Sequence, residues 1–148
     1  DKKLIEKIKD YLVFDMRKDQ KPRFNFQLTD LNAAIGRVQL KKLPSFLKRR
    51  AAIFNTYKDA GFDLLDNIKG NCSSVRYRAV LRTTKANLLI KKLHAAGIRA
   101  IIPMEHWELL KRTPNSLSLS TSTISLPCYP SLSDGQVKMI CKEVQKYL

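Results

Sequence analysis

Apolar residues recur at helical spacing from the first turn of the chain. Leu4, Ile5, Ile8 and Leu12, with Lys and Glu between them, predict an amphipathic helix over 2–13. Residues 15–27 lose that period, and Pro22 biases the residue before it toward extended backbone, so a loop is expected. Thr29 then offers a hydroxyl cap, Asp30 complements the helix dipole, and Leu31, Ile35 and Val38 form one apolar face of a second helix. Ala33, Ala34 and Gly36 keep that helix slim, which suits a close backbone approach at a helix crossing or subunit contact. Pro44 is expected to interrupt the pattern after Leu43. A further helical stretch carries Phe46, Ile53, Phe54 and Tyr57, has Lys48, Arg49 and Arg50 as its basic side, and stops at Gly61.

The second half switches period. Val75, Tyr77, Ala79 and Leu81 alternate with Arg76, Arg78 and Arg82, as in a half-buried strand. Leu88, Leu89 and Leu93 predict a helix over 84–96 with Gly97 as its stop, and 98–102 reads as another strand, completing a strand–helix–strand unit. The alternating Leu and Ser of 116–126 read as a turn and an edge strand, with 124–126 as its extended part. Ser133 followed by Gln136 is a capping box, opening a helix with Val137, Ile140, Cys141, Val144 and Leu148 on one face. No internal repeat is present.

Composition narrows the picture modestly. A chain of 148 residues with 44% hydrophobic content can bury one modest core. Its 28 Lys+Arg against 13 Asp+Glu give +15, which favours an anionic partner or marks a fragment parted from an acidic remainder. Cys72, Cys128 and Cys141 have no C-x-x-C spacing, so they support neither a disulfide framework nor a zinc site; reduced thiols in a cytoplasmic protein are expected. No apolar run is long enough to cross a bilayer, so no membrane partner is expected. The chain begins at Asp1, within a helical pattern and without an initiator Met, which fits a truncated or excised segment.

Two stretches carry a family pattern. Arg23-Phe24-Asn25-Phe26-Gln27-Leu28-Thr29-Asp30 leads into Ala33-Ala34-Ile35-Gly36 and Gln39-Leu40, and Ser125-Leu126-Pro127-Cys128-Tyr129-Pro130-Ser131-Leu132-Ser133-Asp134 follows the Gly97-Ile98 pair. In this order they resemble the C-terminal part of the DegT-type sugar aminotransferases, fold-type I enzymes that use pyridoxal phosphate (PLP). The resemblance covers nearly the whole chain. It implies an α/β small domain with a few-stranded, mainly antiparallel sheet and helices on one face, preceded by long connecting helices. It divides the chain into 1–28, the end of a PLP-binding large domain with an interface loop; 29–60, the connecting helices; and 61–148, the small domain. A two-fold dimer and a nucleotide-sugar substrate are implied as partners.

For Asn25 the resemblance implies contact with the PLP phosphate of a neighbouring subunit. The local chemistry alone favours an Asx turn in which Asn25 bonds its own backbone. Two positions depart from the family pattern: Arg23 stands where Gly is common, and Gln27 where Arg is common, so that a charge at 27 is missing. Arg23 and Gln27 are candidate substrate-binding residues, with a solvated loop arginine as the plainer reading of Arg23. His106 beside Trp107 falls where the family places a loop at the substrate mouth, and is the third candidate; a loop histidine beside a packing tryptophan is its plainer reading. His94 reads as structural or solvent-facing. Arg76 and Arg78 would share one strand face, able to meet phosphate or simply solvent.

The catalytic lysine of the family follows an S-x-H-x-x-K type stretch, and none occurs here. Lys2, Lys3, Lys7 and Lys9 lie on a polar helical face, where an ammonium stays solvated. The expectation is therefore a C-terminal segment of a PLP-dependent aminotransferase acting on a nucleotide-linked keto-sugar, with glutamate as amino donor, inactive alone. The alternatives are a basic nucleic-acid-binding module and a partner subunit that donates Asn25 to a complete enzyme. Phe24, Phe26 and Tyr77 form no RNA-stacking signature, which counts against nucleic acid. Exposed Leu4, Ile8 and Leu12 should seek a partner, so self-association is expected.

Overall fold

The computed structural model describes residues 1–13, 15–25, 27–66 and 70–148; Phe26 of the loop motif lies outside them. The chain divides into two compact units, Asp1–Lys42 and Leu43–Leu148.

In the first unit, α1 (Lys2–Leu12) is capped by Asp1, whose carboxylate accepts from the Lys3 N–H at 2.9 Å. None of its residues is buried, so the stripe of Leu4, Ile5 and Ile8 faces outward within this chain. The loop that follows returns to α1 through the Phe24 N–H, which donates to the Tyr11 carbonyl at 3.1 Å. Thr29 caps the next helix as its hydroxyl predicts, accepting from the Asn32 N–H at 3.2 Å.

That helix, α2 (Asp30–Asp59), continues through Pro44 instead of breaking there. Proline removes one i→i−4 bond, to the Leu40 carbonyl. Good helix formers on both sides, with Ile53, Phe54 and Tyr57 anchored downstream in the core, outweigh that single loss. Gly61, at φ 85, ends the last turn where an L side chain would be strained.

In the second unit β1 (Ala79–Arg82) pairs antiparallel with β2 (Thr123–Leu126), Ala79 opposite Leu126 and Leu81 opposite Ile124. Single antiparallel bridges flank them, Leu64 to Leu81 on one side and Ile101 to Ser125 on the other. The strand expected over 98–102 is thus reduced to the Ile101 bridge. β2 is an interior strand with all four residues buried, not an edge strand.

Three helices complete the unit. α3 (Ala86–Ala95) closes on Gly97 at φ 76, with the Gly97 N–H on the His94 carbonyl and the Ile98 N–H on the Leu93 carbonyl. α4 (Pro114–Thr121) occupies the Ser-rich stretch expected to be a turn and strand. Thr113 caps it, Pro114 sits in its first turn, and the Thr121 and Ser122 hydroxyls donate to the Leu117 and Ser118 carbonyls, so the serines serve the helix. α5 (Asp134–Gln145) starts with the Ser133–Gln136 capping box. It ends before Leu148, which is exposed, and Tyr147 packs on the core instead.

The core joins Ile53, Phe54 and Tyr57 of α2 with Leu89 and Leu93 of α3, Val137, Ile140 and Val144 of α5, and the inward residues of both strands. Each such side chain contributes roughly 1.5–3 kcal/mol by leaving water. Tyr57 is fully buried, yet its hydroxyl donates to the Pro127 carbonyl at 2.8 Å, so no polar atom is orphaned there.

Ahead of β1 the alternation is inverted. Val75 and Tyr77 are 58% and 68% exposed, while Arg76 turns inward at φ 49. A strand from Val75 would have presented Arg76 to solvent. The left-handed backbone instead sets its guanidinium 3.9 Å from the Phe54 ring centroid and 2.6 Å from Asp66. Arg76 and Arg78 consequently do not share a strand face.

Candidate functional site

Arg23, Asn25 and Gln27 belong to the first unit and His106 to the second. In the loop, the Gln27 N–H donates to Asn25 Oδ1 at 3.2 Å, forming the Asx turn that local chemistry favours. This bond also decides which way the amide points. Oδ1 must face the Gln27 N–H, so Nδ2, the donor end, is directed elsewhere and has no partner among the described residues.

Arg23 underpins that turn. Its side chain is only 5% exposed, and its N–H groups reach the Asp10 carbonyl through Nε at 2.9 Å, Asp10 Oδ1 through Nη2 at 2.9 Å, and both Asp19 oxygens at 2.5 and 2.9 Å. Hydrogen bonds from Arg23 hold the Asp10 and Asp19 carboxyls well below the usual carboxylate range. The same bonds raise the affinity of the guanidinium for its proton. Arg23 is therefore committed to its own chain, binding the loop to α1, rather than solvated as its loop position suggests. Gln27 is exposed and contributes its backbone N–H to the Asx turn.

His106 lies in a short 3-10 turn, His106–Glu108, capped by Glu105, whose N–H donates to the Glu108 carboxylate at 2.7 Å. Its Nδ1 is 3.4 Å from the Ser120 hydroxyl, and Trp107 beside it is 77% exposed, so the tryptophan does not pack over the histidine in a core. His94, by contrast, has Nε2 2.7 Å from the Ala100 carbonyl and secures the turn after α3.

A cleft of about 520 Å³ opens within the second unit, lined by Arg50, Arg78, Arg99, Tyr77, Tyr129 and Gln136 among others. Arg50 Nη1 donates to the Tyr77 and Cys128 carbonyls at 3.0 and 2.7 Å, and the Arg50 and Arg78 guanidiniums lie 5.7 and 5.5 Å from the Tyr77 centroid. Such a wall suits an anion. Sequence reading placed Arg50 on a helix side and Arg78 on a strand, and passed over Arg99. Only the turn at Gly97 and the burial of Ile98 and Ala100 on either side direct Arg99 outward, and no linear motif encodes that.

Among the described residues, no group of His, Cys, Asp and Glu is placed to hold a metal ion. No helix among them is long and apolar enough to cross a membrane.

The model of the DegT/DnrJ/EryC1/StrS aminotransferase family matches residues 1–145. The UDP-4-amino-4,6-dideoxy-N-acetyl-beta-L-altrosamine transaminase of Helicobacter pylori is 29% identical over 140 residues, 82% of this chain and 37% of its own length. The aminotransferase TlmJ from Streptoalloteichus hindustanus has the same fold over 99% of this chain and 45% of its own, with a TM-score of 0.87 at 21% identity. Spr1654 from Streptococcus pneumoniae, in its PMP form, matches at a TM-score of 0.83 and 23% identity, over 99% of this chain and 45% of that one. The chain thus spans less than half the length of these relatives. Enzymes of the family are PLP-dependent, in keeping with the PMP and PLP forms of Spr1654.

Proposed function

We infer that this chain, which belongs to the DegT/DnrJ/EryC1/StrS aminotransferase family, is the C-terminal portion of a PLP-dependent aminotransferase acting on a nucleotide-linked keto-sugar, with glutamate as amino donor. The H. pylori relative, named for a UDP-linked amino sugar, supports that substrate class. By itself the portion is inactive, because the lysine that carries the cofactor and shuttles protons lies in the remainder of the enzyme.

The observation that carries this reading is the Asn25 turn. A phosphate needs donors, and the turn consumes the acceptor Oδ1 while leaving the donor Nδ2 outward. The Asx turn and the phosphate contact are therefore compatible, the first orienting the amide for the second. The donor fits a PLP phosphate held by a neighbouring subunit across a two-fold contact. Bound PLP supplies the electron sink for the carbon that exchanges nitrogen. Arg23, clamped by Asp10 and Asp19, fixes the loop that presents Asn25. Gln27, through its side-chain amide, is the substrate-binding candidate of that loop, and His106 is a separate candidate in the second unit.

Asn25→Ala and Asn25→Asp, placed in a chain that also carries the lysine-bearing half, test the assignment. PLP dissociation constants should rise about tenfold for Asn25→Ala and further for Asn25→Asp, whose carboxylate repels phosphate. The 148-residue chain saturated with PLP should show no transamination. Unchanged PLP affinity in Asn25→Ala would overturn the role of Asn25, and turnover by the short chain would overturn its dependence on the other half.

A further inference from the structure

Of the eight residues of α4, the buried one is a serine: Ser120 is 7% exposed, while Leu119 beside it is 44% exposed. A buried hydroxyl gains less from leaving water than an apolar side chain would, and it is tolerated when its oxygen is hydrogen-bonded. Ser120 has two such contacts. Its Oγ donates to the Leu117 carbonyl at 2.8 Å and lies 3.4 Å from Nδ1 of His106.

A serine hydroxyl carries one proton, and a carbonyl can only accept. The proton of Ser120 is therefore committed to Leu117, and toward His106 the oxygen presents a lone pair. The hydrogen between them comes from the ring, which places it on Nδ1. Neutral imidazole has a single N–H, so Nε2 is left as an acceptor. His106 is exposed, and its Nε2 has no partner among the described residues. His94 shows the reverse arrangement, because its Nε2 lies 2.7 Å from the Ala100 carbonyl and must bear the proton there. The two histidines of the chain thus hold opposite tautomers.

We propose that Ser120 is a positioning residue that locks neutral His106 in its Nδ1–H form, so that Nε2 receives a hydrogen bond from a hydroxyl of the substrate. A ring set this way meets a hydroxyl and not a keto oxygen or an ionised phosphate, since neither of those has a proton to give. The inference rests on the reading of His106 as a substrate contact, and it adds the residue that sets the polarity of that contact.

Nitrogen-resolved NMR of the 148-residue chain, at a pH well above the ordinary histidine range so that both rings are neutral, tests the tautomer without cofactor or substrate. His106 should show a protonated Nδ1 and a bare Nε2, and His94 the converse as an internal reference. Ser120→Ala, which puts a good helix former into α4, should abolish the fixed pattern at His106 and leave His94 unchanged. Ser120→Thr keeps the hydroxyl and should retain the parent pattern, since Thr121 and Thr123 already bond carbonyls of the preceding turn. A protonated Nε2 at His106 in the parent chain, or the parent pattern persisting in Ser120→Ala, would overturn the role of Ser120. In a chain that also carries the lysine-bearing half, Ser120→Ala should raise the KM for the sugar about three- to tenfold with kcat within about twofold, and Ser120→Thr should restore it. An unchanged KM beside an altered tautomer would overturn the substrate contact of His106 itself.

Discussion

The guanidinium of Arg76 lies 3.9 Å from the centroid of the Phe54 ring, so a positive charge caps the aromatic core of the second unit. Asp66 closes the arrangement from the other side at 2.6 Å, and its carboxyl is held below the usual range chiefly by the hydrogen bond from Arg76. A non-glycine residue at φ 49 costs on the order of 1–3 kcal/mol, and these two contacts offset it. Arg76→Ala should lower the unfolding free energy by about 1–3 kcal/mol, read from urea midpoints.

The same pair sets an acid limb. Because the Asp66 carboxyl titrates lower folded than unfolded, its contribution is complete above the ordinary carboxylate range and fades as pH falls through the depressed value. Stability measured between about pH 5 and pH 2 should therefore fall less steeply in Arg76→Ala than in the parent chain. Equal slopes would show that Asp66 does not draw its low pKa from Arg76.

Tyr57 donates to the Pro127 carbonyl from a fully buried position, and burial raises its phenol above the ordinary range. Tyr57→Phe keeps the ring and its packing but strands that carbonyl. A loss of about 1–2 kcal/mol is expected in the same urea assay.

Thiol chemistry should separate the cysteines. Cys72 is exposed, whereas Cys128 and Cys141 are buried, which pushes both thiols up and keeps them protonated. With a thiol reagent at neutral pH, one equivalent should react rapidly and two more only on unfolding. Rapid release of all three would contradict the packing of Cys128 and Cys141.

The loop at 15–25 depends on Arg23, which holds Asp10 and Asp19 together. Arg23→Gln should speed cleavage after Lys18 by a lysine-specific protease while leaving the melting of the second unit unchanged. If cleavage rates do not change, the guanidinium clamp is not what orders this segment.

Elements framed by local signals were legible in the sequence. Thr29 announces α2, Ser133 and Gln136 announce α5, and Gly97 ends α3, because each acts on the nearest turn of backbone. Elements decided by distant partners were not. The alternation before β1 points Val75 and Tyr77 inward, yet Asp66 and Phe54 recruit Arg76 instead. Leu and Ser alternate through 116–120 as in a strand, but Thr113 and Pro114 already spell a helix start that the alternation hides. Pro44 overstates its power because helix on both sides is held elsewhere. For the site, the linear motif singled out Asn25 but not the direction of its amide, and it gave no sign that Arg50, Arg78 and Arg99 would meet at one cleft.

The sheet of the second unit tapers quickly, from two four-residue strands to single-residue bridges at Leu64 and Ile101. An edge of one paired residue gives an incoming strand almost no ladder to extend. Crowding of this chain should accordingly join helical surfaces such as the α1 stripe, and its concentrated solutions should stay free of the cross-strand order that fibril-binding dyes detect.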